Sequence, residues 1–207
     1  MNKSPPATLA LLLATCVPGA FAASSMDLSV TGTITPSSCT PSLSGGGVVD
    51  HGKLSAKDLH LLQPTPLQEG EMQLQVHCEG STLFTLTTVD NRAGSSAIDP
   101  YHHGLGMVNG DQKLGSVALE VLEPVADTAP VQTIESRDGG TTWGPSNYLG
   151  HAALTSFAAP SAPQTPIALQ DLTARLRAAT VIAPAGDLGL LDELPIDGHA
   201  TMQIKYW

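Results

Sequence analysis

Hydrophobic and polar residues alternate with a period of two along several stretches of the chain. Leu28, Val30 and Ile34 alternate with Ser29, Thr31 and Thr33. Met72, Leu74, Val76 and Cys78 alternate with Gln73, Gln75 and His77, and Val117, Leu119 and Val121 with Ala118 and Glu120. Near the end, Ala200, Met202, Ile204 and Tyr206 alternate with Thr201, Gln203 and Lys205. Successive side chains of an extended chain point to opposite faces, so each stretch predicts a strand with one face in a core and one in water. Residues 81–90, STLFTLTTVD, predict a further strand rich in threonine and apolar residues. Residues 169–184 fit two periods. Leu169, Leu172, Leu176 and Ala179 form a helical stripe, while Leu172, Ala174, Leu176, Ala178, Thr180 and Ile182 alternate against Thr173, Arg175 and Arg177. Helix propensity favours the first. The neighbouring strands and the closing Pro184 favour the second, and strand is the reading adopted.

Turn residues punctuate these strands. The chain has 20 glycines and 16 prolines among 207 residues, with SGGGVVDHG and AAPSAPQTP as the densest connections. No internal repeat is present, and neither connection reads as a domain linker. Short strands separated by turns over this length predict an all-β sandwich in one domain, residues 23–207. Residues 1–22 read as a secretory signal peptide: Lys3, an apolar run over 7–17, then Ala20-Phe21-Ala22 with cleavage after Ala22. The run is too short for a membrane span. A lipoprotein acylated at Cys16 is the alternative, with Thr15 in place of the usual small residue. The formal net charge of -10 makes a phosphate backbone an unfavourable partner.

Export changes the meaning of the cysteines. Cys16 leaves with the signal, and Cys39 and Cys78 remain as an even pair that predicts one disulfide in an oxidising compartment. Two free thiols or half a metal site are the rival readings, but no Cys-x-x-Cys or paired histidine spacing accompanies them. The motifs of Ser hydrolases, zinc proteases and phosphate-binding loops are lacking. Tyr101-His102-His103-Gly104 holds adjacent imidazoles; neighbours on a strand diverge, and the segment reads as a solvated loop with no metal. Asp192-Glu193 and Glu69/Glu71 read as solvated turn residues, although glycosidase carboxylates are separated by a three-dimensional distance that sequence does not give. SRDGGTTW, residues 136–143, resembles the Asp-box of sialidase propellers. Ser136 and Asp138 would hydrogen-bond the turn, Gly139 and Gly140 would supply positive φ, and Trp143 would pack beneath it. One copy and four arginines (Arg92, Arg137, Arg175, Arg177) argue for a structural turn, not a glycosidase.

The two ends of the mature chain carry a family likeness. LSVTGTITPSSCTPSLSGGGVVDHGKLS, then MQLQVHCEG, resembles a chaperone–usher pilin: an apolar-x-Gly-x-Ile strand, a first cysteine, a Val49-Asp50-His51-Gly52 element and a second cysteine ending a strand. GHATMQIKYW matches the terminal strand with its penultimate Tyr206. More narrowly, GTITPSSCTPSLSGGGVVD, DNRAGS, HGLG and the Asp-Gly-Gly-Thr-Thr-Trp turn resemble an exported family of bacterial fimbrial-like proteins, domain of unknown function 1120. The resemblance implies an immunoglobulin-like sandwich lacking its last strand. A periplasmic chaperone, then the N-terminal extension of another fimbrial subunit, would add the missing strand. Ala200, Met202, Ile204 and Tyr206 would form the edge strand and groove wall, and the Trp207 carboxylate would meet basic chaperone residues. The same alternation would serve a plain last core strand.

One departure narrows the expectation. Only Ala23 to Met26 precede the strand beginning near Asp27. Four residues reach about 14 Å, too little to complete another sandwich. The expected protein is therefore a tip, terminal or accessory subunit, periplasmic or at the cell surface, with no enzymatic activity and no cofactor. The alternative is a self-sufficient secreted sandwich binding a glycan or host-surface ligand through its middle region, residues 90–166.

Overall fold

The computed structural model describes residue 29 and residues 38–206. The signal-peptide and Cys16 readings, the 28–34 strand, the four-residue extension and the Trp207 carboxylate all lie outside these residues. The principal strands are β1 (Cys39–Leu43), β2 (Gly70–Thr82), β3 (Phe84–Asp90), β4 (Gly115–Ala126), β5 (Gln132–Ser136), β6 (Leu154–Ala158), β7 (Leu169–Ile182) and β8 (Ala200–Tyr206). The described residues contain no α-helix, only short 3-10 turns. The protein is all-β.

Two antiparallel sheets hold these strands. The larger runs β1-β2-β7-β4 and ends on the short strand His103–Gly104, with Thr65–Pro66 pairing β7 and Ala129–Pro130 pairing β4. The smaller runs from Gly144–Pro145 through β5, β6 and β3 to β8. The chain crosses between sheets at Leu83, between β2 and β3. That break divides the threonine-rich stretch that the sequence presents as one strand. Leu74, Val76, Val121, Leu172 and Leu176 from the larger sheet share one core with Phe84, Leu86 and Phe157 from the smaller. The Phe84 and Phe157 rings meet edge to face, with centroids 6.4 Å apart, the arrangement favoured by the ring quadrupole.

The ambiguous segment is β7, the longest strand. It hydrogen-bonds β2 on one side and β4 on the other. Leu172, Ala174, Leu176, Ala178, Thr180 and Ile182 are buried. The opposite face carries Arg175 and Arg177, which reach across to acidic residues of the flanking chain. Arg175 Nη1 lies 2.6 Å from Glu71 and its Nη2 3.2 Å from Glu123, while Arg177 pairs with Glu120 and lies 3.4 Å from Glu69. Cross-strand pairing thus accommodates the long cationic side chains on the polar face of the strand. In β4 the alternation changes phase at a bulge. Glu123 takes φ 51°, after which Ala126 faces the core.

Cys39 and Cys78 are directly opposed in the β1–β2 register and joined by a disulfide, 39 residues apart in sequence. In the chain-entropy model, a closed loop of this length restricts the unfolded chain enough to stabilise the fold by about 4 kcal/mol. Replacing both as Cys39→Ser with Cys78→Ser is expected to lower the unfolding free energy by about that amount, measured by urea denaturation. In the shared core, Leu176→Ala is expected to cost about 2–5 kcal/mol in the same measurement.

Candidate functional site

β8 is an edge strand in the described residues. Its seven residues pair with β3 in unbroken antiparallel register, from Ala200 opposite Asp90 to Tyr206 opposite Phe84. Its other edge has no strand partner among the described residues. Ala200, Met202 and Ile204, the positions that would be fully buried in a closed core, are only half-buried. A groove of about 210 Å³ runs between the sheets beside this strand. It is lined by Ala200 and Met202 of β8, by apolar Leu43, Val49, Met72, Leu119, Leu176 and Ala178, and by polar His51, Thr88, His103 and Thr180.

Tyr206 departs from the expected groove wall. It is 41% exposed, and its hydroxyl accepts a 2.8 Å hydrogen bond from the Cys39 backbone N–H. The last strand of one sheet is therefore tied to the first strand of the other beside the disulfide. The Val49-Asp50-His51-Gly52 element forms part of the groove wall. Val49 packs on the core and sits so close to Gly70 that a Cβ there would collide with it. Asp50 Oδ1 accepts the Gly52 N–H at 2.8 Å, with Gly52 at φ 60°. His51 Nε2 lies 3.0 Å from Thr180 Oγ1.

The solvated-loop reading of Tyr101-His102-His103-Gly104 requires correction at His103. His103–Gly104 is a strand paired with β4, placing His103 opposite Val117. Its side chain is fully buried, with Nε2 2.7 Å from Thr88 Oγ1 of β3. The His151 ring stands edge-on, with centroids 5.4 Å apart. His102 diverges to the other side and meets Tyr148, with ring centroids 5.9 Å apart. The residue after His103 had to be glycine: a Cβ at Gly104 would collide with Ser95 Oγ and the Arg92 carbonyl. Burial pushes the His103 imidazole below the ordinary histidine value; nearby Asp90 opposes this and His151 reinforces it. Sequence reasoning missed this residue because a two-residue strand leaves no periodic signal.

His103, Thr88, Thr180 and His51 form a polar layer across the sheets. On one side lies the shared core; on the other a second apolar cluster contains Leu105, Val108, Leu114, Ile182 and Leu188. Val117 touches both. Among the described residues no group of three or more His, Cys, Asp or Glu is placed to hold a metal ion.

The SRDGGTTW turn joins β5 to Gly144–Pro145. Ser136 Oγ donates to Asp138 Oδ1 at 2.7 Å and accepts the Gly140 N–H at 2.8 Å. Asp138 also accepts the Thr142 N–H at 2.9 Å and the Thr142 hydroxyl at 2.6 Å. Gly139 and Gly140 take φ 72° and 94°. Trp143 Nε1–H donates to the Gly140 carbonyl at 3.1 Å. The Thr142 hydroxyl, the Thr142 N–H and Ser136 hold the Asp138 carboxyl down at about 2. Of the acidic pairs, Glu69 and Glu71 meet the β7 arginines, and Glu193 meets Lys53 at 3.0 Å.

The family model described as "Protein of unknown function (DUF1120)" matches residues 28–113, which include both disulfide cysteines, Val49–Gly52 and the His103 strand. Protein GltF of Escherichia coli (strain K12) is 26% identical over 249 aligned positions covering 96% of this chain and 97% of that protein.

Two titrations follow from this geometry. His103 favours its neutral form when folded, so unfolding should take up a proton as pH falls below the ordinary histidine value of 6.5. Unfolding free energy is expected to fall with pH below that value, and His103→Gln should flatten this slope in urea denaturation. Asp138 behaves as a depressed carboxylate: its contribution is present above 3.8 and is lost as pH falls toward about 2. Asp138→Asn should remove that acid-side dependence.

Proposed function

We propose that this chain is a non-enzymatic exported subunit of fimbrial type, with an immunoglobulin-like sandwich completed by a strand from a periplasmic chaperone or a neighbouring subunit. The observation that carries this reading is β8: paired on one side only among the described residues, with half-buried Ala200 and Met202 lining a groove between the sheets. An incoming strand would pair with the vacant N–H and C=O groups of β8 and set alternate apolar side chains into the groove. The signal-like leader supports export. The match over residues 28–113 is consistent with the narrower family likeness.

A second reading, a secreted glycan-binding sandwich, draws on one surface of the middle region. Tyr101 is exposed with Arg137 4.9 Å from its ring centroid, and the Tyr148 hydroxyl donates to the Tyr101 carbonyl. Aromatic faces beside polar groups suit a sugar, and a glycan array separates this reading from the first.

Co-expression with an affinity-tagged periplasmic chaperone of the strand-donating class tests the leading proposal. The chain is expected to be retained on the chaperone. Met202→Asp with Ile204→Asp should reduce retention about tenfold or more, because charges then replace the half-buried apolar side chains along β8. A chain that is not retained and unfolds reversibly by itself would overturn the proposal.

A further inference from the structure

A second apolar surface lies beyond the polar layer, over the second apolar cluster. Two connections form it: residues 49–62 and residues 185–196. The backbone ties them together, with Ala185 N–H donating to the His60 carbonyl and Gly186 N–H to the Leu61 carbonyl, both at 2.9 Å. Between them is a cavity of about 730 Å³, floored by Leu59, Leu114 and Ile182 and walled by Leu54, Leu190 and Leu194. That volume is within the range of ligand-binding sites, about 300–1,000 Å³. Exposed leucines lie on the same two connections, and of these Leu191 lines the cavity. Leu61, Leu62 and Leu191 are 66%, 84% and 94% exposed. Scattered exposed leucines are ordinary, but several on two connections that share one cavity form a patch of the kind that marks an interaction surface.

Charge identifies the occupant. The two connections carry Asp50, Asp58, Asp187, Asp192 and Glu193 against Lys53 and Lys57. Lys53 is already paired with Glu193 across the cavity mouth at 3.0 Å. The surface is therefore apolar at its centre and acidic at its rim. A second copy would bring the same acidic rim, and an anionic lipid surface would be repelled. We propose that this cavity and the exposed leucines of its two connections dock a partner segment in which apolar side chains alternate with basic ones. The apolar side chains enter beside Leu54 and Leu194, and the basic ones meet Asp50, Asp192 and Glu193. The site is separate from strand addition along β8 and does not rest on that reading, although the cavity and the groove share Val49, His51 and Ile196 as a wall.

The test uses the mature chain and a fluorescein-labelled peptide of about ten residues alternating leucine and lysine, read by anisotropy. Binding is expected, weakening with salt as exposed charge pairs are screened. Leu61→Ser with Leu191→Ser, and separately Asp192→Lys with Glu193→Lys, should each weaken it about tenfold or more. All four side chains are exposed, so these variants are expected to fold, which an unchanged urea midpoint would verify. Met202→Asp, in the groove wall, should leave binding unchanged. No binding would overturn the proposal, as would equal binding of a serine–lysine peptide, which shows charge attraction alone. Loss of binding in Met202→Asp but not in the leucine variant places the peptide along β8 and overturns it too, while favouring strand addition. A concentration-dependent dimer abolished by the leucine variant would identify a second copy as the occupant and overturn the basic-partner assignment.

Discussion

The demand of the backbone for hydrogen-bond partners organises this protein. A buried N–H or C=O left unpaired costs as much as a lost hydrogen bond or more, so each strand that enters the core needs neighbours on both sides. β7 meets that demand in full, running between β2 and β4 for most of its length. The larger sheet is built outward from it. β8 meets the demand on one side only among the described residues. The contrast between these two strands separates the part of the molecule that is settled by its own contacts from the part that presents a free edge.

The polar layer has a related effect on the interior. His103, Thr88, Thr180 and His51 lie between two apolar clusters, so the inside is not one continuous hydrophobic body. A buried hydrogen bond between imidazole and hydroxyl holds the short His103–Gly104 strand against β3. In a low-dielectric setting such a bond is directional, and it fixes the register in which the two sheets meet. The second apolar cluster is then left to the connections on that end, whose leucines outnumber the places available to bury them. The groove runs along the layer, with His51, Thr88, His103 and Thr180 in its lining, and the cavity lies on the second cluster, sharing Val49 and His51 with it.

The first and last described strands meet through small means. The Cys39–Cys78 bond clamps β1 to β2, and the Tyr206 hydroxyl reaches the Cys39 N–H from the last strand. A hydrogen bond thus joins the two sheets beside the disulfide. Tyr206 keeps the parity of Met202 and Ile204 but spends its side chain on this bridge, which explains its exposure.

Much of the fold is legible in the order of the amino acids. Met72, Leu74, Val76 and Cys78 repeat every second residue, and that period alone puts them on one face of a strand. The Asp138 turn is equally readable, because its hydrogen bonds span only four residues and its glycines answer a local φ requirement. An even pair of cysteines states a crosslink. What lies between distant segments is not legible. Leu169 to Ile182 suits a helix or a strand, and the backbone partners that β2 and β4 supply on both sides decide it. His103 sits in a two-residue strand, so its burial depends on Thr88, Val117 and His151, none of them its neighbours in sequence. Alternation from Ala200 to Tyr206 announces a strand but not whether that strand has one partner or two. Period-two patterning records which face of a strand is apolar. It carries no record of what lies at the strand's edges, because edge pairing is made by backbone groups that every residue shares.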